Sequence, residues 1–490
     1  MIKTKLLQFK NLILKSSILK GSFILAFGII FCKIIGLIYR IPLTQILGVE
    51  GIGVYQLIFP IYSFLLILSS NAIPVGFSRL ISLKLKKKDY KSVACVKSVG
   101  LRYFCRISII FSLLLILCAF PLCKMQGCEK AFLGYIAIAP SIFFVCLISV
   151  YRGVFQGYNS MKQTAISQII EQVVKLILGL FLPLCFFSFG IAFQVGASLL
   201  GITLSEIVAF CYIYVVYKKS YIQKELSNFL RPSKEEEKII LQEIKINVSP
   251  ILITNLVVPL CVMLESFIIV NILSLSNKIE MATSLYGLYS GVVCVLINAP
   301  ISIISSLGMV LIPNISREKM QFKVLKKIDC SKKLIKINIK FVKPKEIVQE
   351  NLKIKNVLKY SSLISLFFVL VFVIFSRIIL NLIYLNIGEN FLQLANILLV
   401  ICSFNIFTQS ITNIITSCMQ AKGYFYEPIK VLCIMNFLRI LLGGITLFYF
   451  GIIGYVCSNA IVFLFQLLQI NKVFKCKMCK KSWIISFRVV

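Results

Sequence analysis

Histidine is absent from all 490 residues. That removes the commonest metal ligand and the one side chain that ordinarily changes charge near neutral pH. It also leaves serine and cysteine without the partner that most often activates them as nucleophiles. Acids are scarce, 18 against 53 Lys and Arg, and no two carboxylates stand at a catalytic spacing. No glycine-rich phosphate loop and no cluster of metal ligands occurs, so an enzyme reading has no residues to rest on and no cofactor is expected. Charge of either sign is sparse: charged residues make up 14% of the chain, where a soluble protein carries about 25%.

What is abundant is apolar. Hydrophobic residues make up 59% of the chain, and mean hydropathy is +0.93. The 18 cysteines fall mostly inside apolar stretches, where a thiol behaves as a small hydrophobe. Cys123 and Cys128 flank one connection, where they can pair or stay free. Cys476 and Cys479 form a CxxC with no second pair to complete a zinc site. These features describe an all-α polytopic membrane protein.

Twelve apolar segments recur, near 21–46, 53–82, 98–122, 132–157, 163–188, 191–217, 240–273, 284–312, 357–385, 391–419, 428–449 and 452–474. Each approaches or exceeds the roughly 20 helical residues needed to cross a hydrocarbon core. The connections alternate between bare and basic. Residues 48–51, 188–190, 385–390 and 450–451 carry no Lys or Arg, whereas 84–91, 217–238 and 317–359 are rich in them. Only Lys124, Lys130, Lys278 and Arg377 break the rule. Positive charge collects in cytoplasmic loops, so both termini are expected in the cytoplasm and the protein in the cell membrane. The net charge of +35 then reports topology, and no nucleic-acid partner is expected. The basic, amphipathic 1–20 reads as an uncleaved cytoplasmic tail or a surface helix.

The division expected from these signals is an N-terminal six-helix lobe over 21–217, a cytoplasmic linker over 218–239 with the Arg231-Pro232 break, and a C-terminal six-helix lobe over 240–474. The second lobe carries a basic cytoplasmic loop at 317–356, and a tail follows at 475–490. The loop reads as mobile, with attraction to anionic headgroups as an added reading. The lobes repeat in sequence. At an offset of 264 residues QGYNSMKQTAISQIIEQVVKLILG (156–179) aligns with QAKGYFYEPIKVLCIMNFLRILLG (420–443), setting Lys175 on Arg439 and Gly179 on Gly443. A parallel repeat with a pseudo-twofold along the membrane normal is characteristic of transporters.

Several spans carry polar residues at helical spacing: Lys33, Gly36, Arg40 and Thr44 in the first; Gln56, Ser63, Ser70 and Asn71 in the second; Asn247, Thr254 and Glu265 in the seventh; Ser290, Asn298 and Ser302 in the eighth. Such groups are costly in lipid and turn inward, either to bond helix to helix or to line a cavity. Lys33 and Arg40 share a face without an acid in their helix, so an anionic substrate is one natural counterion and Glu265 the other. Glu171 and Lys175, four apart with the acid first, have the spacing of an intrahelical ion pair or serve coupling. Glu206 is an isolated acid that can meet Lys175 or Arg439, or carry a proton. Arg152 is placed either for phosphate capture or for simple snorkelling.

The string KGSFILAFGIIFCKIIGLIYRIPLTQILG and its continuation to residue 82, with YRGVFQGYNSM (151–161) and SCMQAKGYFYEP (417–428), resembles the stage V sporulation protein B family. That family lies in the polysaccharide-transporter branch of the multidrug/oligosaccharidyl-lipid/polysaccharide exporter superfamily. The resemblance runs from residue 20 to about residue 475. It implies a V-shaped, two-lobed bundle with a central cavity lined by spans one, two, seven and eight. It also implies flipping of an undecaprenyl-pyrophosphate-linked saccharide, such as a peptidoglycan or spore-cortex precursor; a monomer is expected. Family members commonly have fourteen spans; here the chain reaches KKSWIISFRVV where a thirteenth would begin, as though truncated. Two other functions stay open: cation-coupled multidrug export, and a non-transporting scaffold or degenerate paralogue in sporulation.

Overall fold

Lipid offers the backbone no hydrogen-bond partners, so a chain this apolar must satisfy its amides within each segment, and helices do so. The computed structural model describes residues 17–227, 229, 233–305, 344–384, 388–421, 424 and 426–483, and among them every regular element is helical. Ten helices are long and apolar enough to cross a membrane. Most of the tail 1–20, the Arg231-Pro232 break, loop residues 317–343 and the last seven residues lie outside the described set.

Two of these candidate spans, among the described residues, double back on themselves. α1 (Ser17–Leu66) contains one non-helical residue, Gly48, at φ 67 and ψ −177. Arg40 and Gln56, 16 residues apart, are joined by a 3.1 Å hydrogen bond. On a straight helix they would be about 24 Å apart, so the chain doubles back at Gly48. Positive φ is the backbone region that glycine enters without penalty. Residues 48–51 are one of the bare connections read from the sequence. A five-residue π-helical turn, Ile67–Asn71, then leads into α2 (Ile73–Lys86).

α3 (Tyr90–Met125), α4 (Phe132–Gly157), α5 (Met161–Cys185) and α6 (Ile191–Lys219) follow, then the short α7 (Tyr221–Ser227). α8 (Lys234–Ser276) opens with a capping box. Ser233 Oγ accepts from the Glu236 N–H at 3.2 Å, and the Glu236 carboxylate accepts from the Ser233 N–H at 3.0 Å. α9 (Ile279–Gly287) runs into a second π-helical segment, Leu288–Val293.

The first compact unit ends at Gly291 and the second begins at Val292. Connectivity divides the chain at 218–239, yet packing keeps α8 and α9 with the first six crossings. At the lysine-rich end Lys84 meets Glu243 at 2.7 Å, Lys91 meets Glu236 at 2.6 Å, and Arg102 meets Glu237 at 3.3 Å. Beneath them Phe77, Val96, Phe155, Ile213, Ile244 and Val248 form one buried cluster. At the other end Lys130 bridges Glu50 (2.6 Å) and Glu280 (2.9 Å), and Asn271 Nδ2 donates to the Met125 carbonyl at 2.7 Å. Gly53 abuts the Thr283 carbonyl so closely that a Cβ there has no room. The ammonium of Lys91, with the Ser233 amide, holds the Glu236 carboxyl below the usual range. Hydrogen bonds from Ser92 do the same for Asp89, the cap of α3.

In the second unit α10 (Pro344–Ile383) starts earlier than the loop expected at 317–356 allows. Proline is well suited to a first helical position because its missing N–H has no partner to lose there. α11 (Glu389–Ala421) precedes α12 (Tyr426–Trp483), which is broken at Gly451 (φ 61). Thr446 and Ser458, 12 residues apart, share a 3.0 Å hydrogen bond, against about 18 Å along a straight helix. This reversal repeats the one at Gly48, again at a bare connection.

Candidate functional site

The interior of the first unit gathers most of the charged residues singled out above. Arg40 projects from the first half of α1, and its Nη2 donates to Gln56 Oε1 on the returning half. Gln56 is fixed in turn, its Nε2 donating to the Ser290 carbonyl at 2.8 Å. The guanidinium carbon lies 4.8 Å from the Tyr55 ring centroid and 5.5 Å from that of Phe59. Its Nη1 is buried without a hydrogen-bond partner. From α5, Lys175 Nζ comes 5.2 Å from the Tyr39 ring and 6.0 Å from Phe59. Two cations from different helices thus address the same phenyl ring.

Tyr39 is itself anchored. Its hydroxyl shares a 3.0 Å hydrogen bond with Ser198 Oγ on α6, and its ring fills the space that a Cβ on Gly179 would need. The residue four before Gly179 is Lys175, so one turn of α5 supplies both the cation and the gap for its ring. The second unit divides the same two parts between two rings. Arg439 lies 5.3 Å from the Phe463 ring, and Gly443, four residues later, admits the Tyr455 ring. The sequence repeat therefore carries a cation-on-ring arrangement in each unit.

The expected Glu171–Lys175 pair does not form. Glu171 Oε2 accepts from Arg152 Nη2 at 2.8 Å, and Arg152 Nε donates to Ser167 Oγ at 2.9 Å. A planar guanidinium can reach both acceptors at once, which an ammonium cannot match. Arg152 is 8% exposed, so it neither snorkels nor presents itself to a ligand; it ties α4 to α5. Glu171 keeps a second bond, from Gln172 Nε2 at 2.9 Å. Glu206 on α6 is buried with Oε2 unbonded. The charges within its electrostatic reach are Glu171, Arg152 and Lys175; Arg439 belongs to the other unit.

Other expected positions fall elsewhere. Lys33 is exposed and Arg40 turns to Gln56 rather than Glu265; Glu265 is buried on α8. Asn298 is exposed and, with Arg439, belongs to the second unit. The side chains of Asn71 and Thr254 lie outside the described residues. Cys123 and Cys128 are both free thiols. The rings of Tyr39, Tyr55 and Phe59 escaped the sequence reading, although Tyr55, Phe59 and Tyr62 stand at i, i+4 and i+7 on one helical face.

The electrostatic result is a surplus of positive charge. Among the described residues neither Arg40 nor Lys175 has a carboxylate partner, and Arg152 consumes Glu171. A ring face stabilises a desolvated cation by up to about 2 kcal/mol but leaves its charge uncancelled. Such an interior can hold an anion.

Residues 18–319 match the model of a family described as polysaccharide biosynthesis protein. Stage V sporulation protein B of Bacillus subtilis (strain 168) is 26% identical over 317 residues, covering 64% of this chain and 61% of that protein. Lipid II flippase MurJ of the same organism is 25% identical over 319 residues, 62% of this chain and 58% of that one. The matched segment thus spans about three fifths of each relative. Among solved structures, an inward-facing multidrug resistance MATE family transporter superposes with TM-score 0.71 at 14% identity, covering 92% of this chain and 96% of its own. Lipid II flippase MurJ in an inward closed conformation superposes at 0.67, also at 14% identity, covering 96% of this chain and 94% of that one. The chain shares the fold of these two solved structures.

Proposed function

The chain belongs to the family of polysaccharide biosynthesis proteins, and on that premise we propose that it flips a lipid-linked, anionic saccharide across the cell membrane by alternating access. The observation that carries this reading is the pair of interior cations, Arg40 and Lys175, held on Tyr55, Phe59 and Tyr39 without a carboxylate. A pyrophosphate linkage is a compact polyanion, and a guanidinium with an open Nη1 donor beside an ammonium matches it. Gln56 orients Arg40, and Arg152 with Glu171 braces the helices behind Lys175. Exposed Lys33 is positioned to make an early contact on the way in. In the second unit Arg439 plays the part of Lys175. The lysine-rich connections face the cytoplasm, both termini with them, and the protein acts as a monomer without a cofactor. The names of its relatives, a sporulation protein and a lipid II flippase, support a cell-wall precursor as cargo.

The test is transport by the full chain in proteoliposomes, using a fluorescent polyprenyl-pyrophosphate saccharide. Wild type should move the probe between leaflets; Arg40→Gln and Lys175→Gln should each slow it at least tenfold. Normal folding with no movement by wild type sinks the proposal.

The buried carboxylate of Glu206, within electrostatic reach of Lys175, favours a second reading, cation-coupled export of organic cations. It requires gradient-driven movement of such a cation, lost in Glu206→Gln and retained in Arg40→Gln.

A further inference from the structure

Outside the charged interior, a cavity of about 820 Å³ lies between α5 and α6, at the end of the bundle that carries Lys218 and Lys219. Ligand pockets commonly run from about 300 to 1,000 Å³. Ile170, Val208, Tyr212 and Val215 form its long apolar wall, with Phe155 behind and Ile222 of α7 at one end. Polar groups gather at that same end: Ser160, Gln163, Lys219 and Ser220.

We propose that this groove binds an anionic phospholipid, its acyl chain along the apolar wall and its phosphate at Lys219 and the first turn of α5. Three features support the occupant. From Val208 to Lys219 the helix rises about 16 Å, roughly one leaflet of a ~30 Å hydrocarbon core. That fits one acyl chain and is too short for a long polyprenyl chain. At the polar end α5 presents its first-turn amides. The Ser160 hydroxyl is committed to Gln163 Oε1 at 2.6 Å and makes no cap to the backbone. Free amides at the start of a 25-residue helix favour an anion, and Lys219, exposed at the rim, adds a full positive charge. The nearby acid, Glu225, is engaged by the Tyr158 hydroxyl at 3.0 Å. Finally, Tyr221 is 63% exposed beside the groove, where a tyrosine marks the depth of the headgroups.

The experiment uses the full chain in vesicles and reads tryptophan fluorescence. Trp483→Phe removes the one natural indole, and Tyr212→Trp places a reporter on the groove wall. Phosphatidylglycerol brominated on its acyl chains should quench that reporter with roughly fivefold higher apparent affinity than brominated phosphatidylcholine, the order one lysine supplies. Lys219→Gln should abolish the preference, and raised salt should weaken it. A second reporter, Phe181→Trp near the far end of α5, should show none. If Tyr212→Trp misfolds, Val208→Trp serves as the groove reporter. Equal quenching by the two lipids, a preference unchanged in Lys219→Gln, or the same preference at residue 181 overturns the proposal. So does displacement of the quencher by a polyprenyl phosphate but not by unlabelled phosphatidylglycerol. None of these readouts depends on transport.

Discussion

Arg152 reaches across from α4 and takes the Glu171 carboxylate at 2.8 Å, leaving Lys175 to lie over the Tyr39 ring. Removing one member of a buried ion pair strands the other, at about 3–5 kcal/mol. Arg152→Met should therefore lower the thermal midpoint of the purified protein far more than Lys175→Met. The reverse order would mean that Glu171 relies on Lys175.

Arg40 and Gln56 make a different kind of pair, one cation held by a neutral amide. Arg40→Lys keeps the charge and loses the fork that spans Gln56 and an incoming phosphate. Flipping should fall several-fold while stability changes by less than about 1 kcal/mol. Full activity in Arg40→Lys would show that charge alone suffices.

Gly48 (φ 67, ψ −177) and Gly451 (φ 61, ψ −156) hold a backbone conformation essentially reserved for glycine, where other residues pay roughly 1–3 kcal/mol. Alanine at either should cost about that much in chemical unfolding. Gly443→Leu should cost more, because its side chain must displace the Tyr455 ring. Gly36, with nothing within 4 Å of its Cβ position, serves as the control.

At the lysine-rich end, Glu236 is held below the ordinary carboxylate range by Lys91 and by the Ser233 amide. A depressed folded-state value means that its stabilisation is complete above the ordinary carboxylate pKa. It fades as pH falls through the lowered value. Protease cleavage within 217–238 should accelerate on acidification, and Glu236→Gln should be fast at every pH and flat across that range. Identical profiles for the two proteins would remove Glu236 from the clasp.

The crossings and both tight reversals were legible because each rests on local composition: an apolar run, then a glycine in a stretch without lysine. The repeat was legible too, since Lys175 and Gly179 recur as Arg439 and Gly443. What the cations rest on was hidden. Tyr55 and Phe59 look like ordinary apolar lining until Arg40 and Lys175 arrive from other segments. The Glu171 partner was misread because spacing within one helix says nothing of a competing arginine on the next. Likewise the compact boundary at Gly291 follows from ion pairs and a glycine contact between distant segments, which no local pattern announces.

The single-residue reversals leave the paired crossings no slack. A residue inserted anywhere between Arg40 and Gln56 turns one partner about 100° away from the other, and nothing in so short a corner can take up the twist. Between Thr446 and Ser458 the same holds. Length variation among related chains should therefore be barred from these two corners and crowd into the lysine-rich connections. Gaps in an alignment would trace the protein's sidedness as clearly as its charges do.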